Sequence, residues 1–212
     1  MSTEAQPSST SSPLTRRQEE RRRRILQSSV RLAGRGGFEA VQMREVAEDS
    51  AVALGTLYRY FPSKIHLLVA TLEDQLRRMR EGLRRHPPAG ATPAARAGES
   101  LRRAFEALQR EPGLAEAMLR ALTFADRSAS SEVARVSRLT TAILLDAVAP
   151  DGSPTPGQLS VVRVIEHTWY STLIAWLAGR ASVEQVEADI ETVCRLLGAD
   201  GARSSAPAGA DG

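Results

Sequence analysis

The sequence predicts an all-α fold of about nine helices. Apolar residues recur at three- and four-residue spacing along most of the chain, the period of an amphipathic helix. No stretch alternates apolar and polar residues as a half-buried strand does, and no internal repeat appears. Proline- and glycine-rich punctuation separates the helical patterns. Hydrophobic residues make up 42% of the chain and charged residues 25%, the profile of a soluble globular protein. The 212 residues suffice for one medium domain or for a small domain joined to a larger one.

Residues 1–15 are rich in Ser, Thr and Pro and poor in apolar side chains. They read as a disordered arm and lack the apolar run of a secretory signal. Arg16-Arg17 and Arg21 to Arg24 follow, and from Ile25 the pattern turns helical through Leu26, Val30, Leu32 and Ala33. Gly34, Gly36 and Gly37 stop that first helix, since glycine takes left-handed backbone at little cost. Phe38 and Val41 are apolar plugs in the connection. A second helix spans 43–49 with Met43, Val46 and Ala47 inward, residues 50–53 form a turn, and a third helix spans about 54–61. Leu57 and Phe61, four apart, share its core face. Pro62 ends it, and Ser63 can cap the next helix.

The fourth helix, about 63–85, carries Ile65, Leu68, Val69, Leu72, Leu76 and Met79 on one side and is long enough to link a head to a body. The run from His86 to Pro93 reads as a loop. Five further helical patterns span about 93–110, 112–125, 130–148, 157–178 and 182–197, and residues 199–212 read as a disordered tail. The predicted organisation is therefore an arm at 1–15, a three-helix head at 16–62 with its helix-turn-helix at 43–61, a body at 63–198, and the tail.

Charge divides the chain in the same way. Residues 1–85 hold sixteen basic and ten acidic side chains, while residues 86–212 hold twelve and fifteen. A basic first part on an acidic remainder is the footprint of one nucleic-acid-binding face. The arginine run reads as phosphate contact, which positions a protein without reading sequence; a membrane-surface or partner-helix module is the competing reading. Enzyme chemistry finds little support. His66, His86 and His167 are scattered, and no metal-ligand spacing, phosphate-cradling loop or nucleophile elbow occurs. Ser171 lies one turn from His167, but on a helix full of core residues. No metal or cofactor is expected. The single cysteine, Cys194, excludes an internal disulfide and fits a reducing cytoplasm. The most apolar segment, residues 161–178, carries Arg163, Glu166 and His167, so it reads as a buried helix rather than a membrane span.

The densest cluster of interacting side chains is the stretch 55–64, Gly-Thr-Leu-Tyr-Arg-Tyr-Phe-Pro-Ser-Lys. With Val46-Ala47 before it, it resembles the signature of the TetR family of bacterial regulators. Two positions depart from that signature: Ala51 stands where the turn usually has Gly, and Ala53 where the recognition helix usually has a Ser or Thr cap. Residues 116–132, Glu-Ala-Met-Leu-Arg-Ala-Leu-Thr-Phe-Ala-Asp-Arg-Ser-Ala-Ser-Ser-Glu, are similar to the branch of the family that represses sterol and cholesterol catabolism in actinobacteria.

The resemblance implies a helix laid in the major groove, where base edges are distinguishable. Leu54, Gly55 and Thr56 would approach bases, and Arg59 a base or a phosphate. Arg44, Tyr58, Tyr60 and Lys64 would bind phosphates. Tyr58 has a second reading, packing between head and body, and Tyr60 could bury its ring and expose only its hydroxyl. One short helix reads little sequence, so such heads bind double-stranded operator DNA as pairs on palindromes. The implied homodimer pairs through the last two helices. Val183, Val186, Ile190, Val193 and Leu197 form one apolar stripe there, and the eighth helix is apolar nearly all round, with one side for its own core and the other for a twofold partner. A sensor body also needs a cavity, with Leu101, Phe105, Leu108, Met118, Leu122, Phe124, Trp169 and Trp176 as candidate lining. The implied effector is a small hydrophobic molecule, a sterol-derived coenzyme A thioester, with a fatty acyl thioester or a drug as alternatives. A DNA-binding protein with a solid body is the remaining reading.

Overall fold

The computed structural model describes residues 13–204. Those residues form nine α-helices and one short 3₁₀ turn, with no strand among them. The helices are α1 (Pro13–Ala40), α2 (Met43–Asp49), α3 (Leu54–Tyr60), α4 (Lys64–Arg85), α5 (Pro93–Arg110), α6 (Pro112–Thr123), α7 (Ser130–Val148), α8 (Pro156–Leu177) and α9 (Val183–Ser204). Most boundaries fall where punctuation places them. Thr92 and Thr155 cap α5 and α8 through their hydroxyls, each ahead of a proline in the first helical turn. Ser63 caps α4 by accepting from the His66 N–H.

Three boundaries differ from the sequence reading. The first helix begins at Pro13, twelve residues before its apolar pattern, because arginine and glutamate are good helix formers that need no buried face. Residues 13–15 of the expected arm are thus helical, while 1–12 lie outside the described residues. At the other end α9 continues to Ser204, past the expected stop at 197; residues 205–212 lie outside the described residues. Finally, Arg127–Ala129 forms the 3₁₀ turn, its start capped by the Asp126 carboxylate. The predicted break in α1 is present: Gly36 and Gly37 leave helical geometry, and Gly37 sits at φ +66°.

The head, α1 to α3, does not keep a core of its own. Ile25, Leu26, Val41, Val46, Leu57 and Phe61 pack into one cluster with Leu67 and Leu68 of α4 and with Leu114, Ala117, Met118 and Ala121 of α6. A second cluster fills the far body, from Leu101 and Phe105 of α5 through Ile165 and Leu173 of α8 to Val186, Ile190 and Val193 of α9. α6 lies between the two and packs along α1 more extensively than any other pair of helices meets. Gly113 permits this approach, since a β-carbon there would lie 2.7 Å from the Ala33 carbonyl oxygen. Polar bonds reinforce the head. Ser29 and Thr71 hydroxyls meet at 2.7 Å between α1 and α4, and Arg31 of α1 holds Asp49 of α2 at 2.5 Å.

Candidate DNA-binding face and effector cavity

In α3 the apolar pair works as spaced: Leu57 and Phe61 are buried, which turns the opposite arc outward. Gly55, Tyr58 and Arg59 lie on that arc, with Tyr58 46% exposed. Arg59 donates only to the Thr56 hydroxyl, at 3.3 Å, and Arg44 is exposed at the start of α2. Among the described residues neither arginine forms an ion pair. An exposed guanidinium with no carboxylate partner is available to a phosphate or a base edge. Leu54 and Thr56 are half-buried at the helix start. Tyr60 is also half-buried; its hydroxyl donates to the Gln18 carbonyl at 3.5 Å, so the early turns of α1 lie against the end of α3.

Lys64 is placed differently from the expected outward phosphate ligand. Its ammonium donates to the Phe38 carbonyl at 2.8 Å, stands 4.2 Å from the Phe38 ring centre, and faces Glu39 at 4.0 Å. Burial lowers its pKa from the ordinary lysine value, and the Glu39 carboxylate partly offsets that. Its side chain therefore ties the start of α4 to the end of α1. The reason is that helix periodicity places Lys64 on the α1 side of α4, a direction that spacing within the motif does not reveal.

Helices α4 to α8 line a half-open cavity of about 840 Å³, within the range of small-molecule sites. Its wall is mainly apolar: Leu72, Leu76 and Met79 from α4, Ala104, Ala107 and Leu108 from α5, Leu114, Met118, Leu119 and Leu122 from α6, Val133 and Val136 from α7, Trp169 and Leu173 from α8. Arg78, Arg103, Glu111, Glu166, His167 and Tyr170 add polar groups. Met118, Leu122, Trp169 and Leu108 thus lie where a sensor cavity was expected. Four other candidates do not line it. Leu101, Phe105 and Trp176 lie behind the wall in the far core, where Trp176 and Trp169 both set their rings edge-on to Phe105, at 5.0 and 6.4 Å between centroids. Phe124 ends α6 with its ring 63% exposed, near the Arg120 guanidinium. Its backbone leaves the helix there, so the apolar spacing of α6 no longer turns it inward.

Comparison with known proteins agrees with the geometry. Residues 25–71 match the model of the bacterial regulatory proteins of the tetR family, and residues 90–197 that of the tetracyclin repressor-like C-terminal domain. The HTH-type transcriptional repressor KstR of Mycobacterium tuberculosis is 47% identical over 174 residues, spanning 82% of this chain and 79% of that protein. The chain belongs to the TetR family. It is a DNA-binding transcriptional repressor rather than an enzyme. A TetR transcriptional regulator from a Rhodococcus species superposes with a TM-score of 0.79 at 36% identity, covering 85% of this chain and 97% of its own. The FadR repressor of Thermus thermophilus, solved with lauroyl-CoA, superposes with a TM-score of 0.67 at 23% identity, covering 90% and 100%; that likeness concerns the fold.

Within this TetR-family body, the apolar stripe of α9 is not an outward face. Val186, Ile190, Val193 and Leu197 are buried in the chain's own core against α5 and α8, with Val183 packed beside them. On α8 and α9 the large apolar groups that remain outside, among the described residues, are Leu159 and Val164 of α8 and Leu196 of α9. α8 also turns Ser160, Arg163, His167 and Ser171 outward. Among the described residues no helix is long and apolar enough to cross a membrane, and no group of His, Cys, Asp and Glu is arranged to hold a metal. The sequence reading missed the α4 and α7 contributions to the cavity, and of α5 it named only Leu108 among the residues that line it. One signal was present: the apolar face of α4 continues through Leu72, Leu76 and Met79, further than a small head needs.

Proposed function

We propose that this chain represses genes of sterol catabolism, binding a palindromic operator as a homodimer and leaving it when a sterol-derived coenzyme A thioester enters the cavity between α4 and α8. The observation that carries the reading is the cavity itself. Its mainly apolar wall includes the adaptable Met79 and Met118 and the broad indole of Trp169, which suit a bulky apolar ligand. Residues 116–132, which resemble the sterol-catabolic branch, supply part of that wall through Met118, Leu119 and Leu122.

In this reading Gly55, Thr56 and Arg59 meet base edges, while Arg44, Tyr58 and the arginines of α1 meet phosphates. The outward faces of α8 and α9, centred on Val164 and Leu196, form the twofold contact. The effector must bind the DNA-incompetent form more tightly than the DNA-bound form, with a coupling of about 5- to 150-fold in operator affinity.

The test is operator binding by fluorescence anisotropy, on a genomic fragment found by footprinting, with and without a cholestenoic acid–coenzyme A thioester. Release of the fragment, together with a raised Tm of the protein and a change in Trp169 fluorescence, is the expected result. Absence of any thermal shift with sterol or fatty acyl thioesters would overturn the sensor reading. A second reading, a fatty acyl thioester as effector, is favoured by the complex of the Thermus FadR with lauroyl-CoA. A parallel titration with stearoyl-CoA separates the two.

A further inference from the structure

We propose that Glu116 is the positioning residue through which filling of the cavity reaches the DNA-binding head. This rests on the reading above that the cavity takes the effector. Glu116 itself lies outside the cavity wall, on the same helix as five of the residues that form it.

The Glu116 side chain reaches the break in α1. Its Oε2 accepts from the Phe38 N–H at 2.7 Å. One residue earlier stands Gly37 at φ +66°, where a β-carbon would lie 2.5 Å from that same oxygen. Only glycine both adopts that backbone and leaves room for the carboxylate. Phe38 is then held from its other sides. Lys64 of α4 binds its carbonyl at 2.8 Å, and its ring lies between the Lys64 ammonium at 4.2 Å and the Arg120 guanidinium at 4.7 Å. Arg120, one turn beyond Glu116 on α6, also holds Glu39 at 2.9 Å. The end of α1, the start of α4 and the middle of α6 therefore meet on a single residue.

The faces of α6 explain why this clasp can transmit. Ala115 and Leu119 border the cavity, whereas Ala117 and Ala121 pack in the head's core; Leu114, Met118 and Leu122 belong to both. A ligand seated against the first face pushes on the second. A hydrogen bond of 2.7 Å has little slack, and it fails within about half an ångström to one ångström of stretching. Displacement of α6 must then drag the end of α1 with it, turning the head about the Lys64 anchor. Without the carboxylate, α6 can shift while the head stays where apolar packing leaves it. The fourth helix links head and body by its length; the clasp makes α6 a second, directly latched connection.

The experiment compares the parent with Glu116→Ala and Glu116→Gln, all full-length. Operator affinity is measured with and without the cholestenoic acid–coenzyme A thioester, and thioester affinity is measured without DNA. Glu116→Ala is expected to keep the thioester affinity within about threefold of the parent, while the thioester's effect on operator affinity falls to less than about threefold, from the roughly 5- to 150-fold of ordinary allosteric coupling. Glu116→Gln retains an acceptor oxygen and should fall between. Amide hydrogen exchange of the ligand-free proteins supplies a readout that needs no effector: Glu116→Ala should speed exchange at Phe38 and also across α2 and α3, which Glu116 does not touch. If Glu116→Ala fails to fold, Glu116→Gln carries both measurements. An unchanged release ratio with unchanged exchange in α2 and α3 overturns the proposal. A parent that neither binds nor responds to thioesters overturns the sensor reading instead, and the exchange data then decide the clasp by themselves.

Discussion

At the scale of single residues, the turn of the helix-turn-helix contains a strained position. Ala51 is the only non-glycine described residue with positive φ, at +52°. A β-carbon in left-handed backbone costs about 1–2 kcal/mol, and the sequence signature places glycine there. Ala51→Gly should therefore stabilise the protein by about 1 kcal/mol, less what glycine adds to the entropy of the unfolded chain. A urea unfolding series checks this; a loss of stability would mean that the Ala51 methyl makes contacts worth more than the strain. Arg59 and the arginines of α1 make a second comparison. Arg59→Ala should weaken operator binding more than binding to unrelated duplex. Arg17→Ala, an exposed position of the early α1, should weaken both alike and reduce the salt slope by about one. Equal losses for Arg59→Ala on both duplexes would remove it from base reading.

At the scale of elements, the recognition helix α3 starts without a side-chain cap, because Ala53 occupies the cap position in extended backbone. Ala53→Ser should add about 0.5–2 kcal/mol, visible as slower exchange across Leu54 to Tyr60. The other informative seam is α4 against α7. Glu73 is 4% exposed and is held by Arg77 of α4 and by Arg135 of α7, at 2.6 and 3.0 Å. Further along, Asp146 of α7 binds Arg80 and Arg84 of α4 at 2.8 and 3.2 Å. Burial opposes ionisation of Glu73, but the hydrogen bonds from Arg77 and Arg135 outweigh it and lower its pKa. The Arg80 hydrogen bond likewise lowers that of Asp146. A carboxyl whose folded pKa is depressed stabilises the fold above its unfolded pKa and loses that contribution as pH falls through the folded value. The seam should thus be intact at neutral pH, start to weaken as pH falls below the ordinary carboxylate range, and open fully only once pH passes the depressed folded values. Glu73→Leu should flatten the acid limb of a stability–pH profile at modest cost. Arg135→Leu should cost more, up to about 3 kcal/mol, because it leaves a buried carboxylate with a single partner. The reverse order of the two would sink this account of the seam.

At the scale of the whole molecule, the exposed apolar groups of α8 and α9 bear on assembly. Val164 is 47% exposed in the middle of α8, and a side chain of that type gains about 1.5–3 kcal/mol when fully buried. Placing a charge there should disfavour a twofold contact twice, once on each copy. Val164→Glu is expected to sediment as a monomer, keep the parent's helical content and lose high-affinity operator binding. A variant that remains dimeric would move the twofold contact away from the middle of α8.

Much of this organisation could be read from the chain alone. Helix number and most boundaries follow from capping residues, prolines and 3.6-residue spacing, which act within a few residues of themselves. The recognition helix follows from a short motif in which burial of Leu57 turns Tyr58 and Arg59 outward by helix geometry alone, while Phe61, one residue past the helix, is buried from extended backbone. What lay beyond reach depends on contacts between distant segments. Phe105 and Trp176 turned out to back the cavity rather than line it, and the α9 stripe to face its own core, since an apolar face does not say which partner covers it. Lys64 looked like a phosphate ligand until the end of α1 was placed beside it. The sequence by itself determined an all-helical regulator with a DNA-reading head. Only the tertiary structure decided that α6 belongs to both the head's core and the cavity wall, because that depends on the close approach of two backbones at Gly37 and Gly113, more than seventy residues apart along the chain.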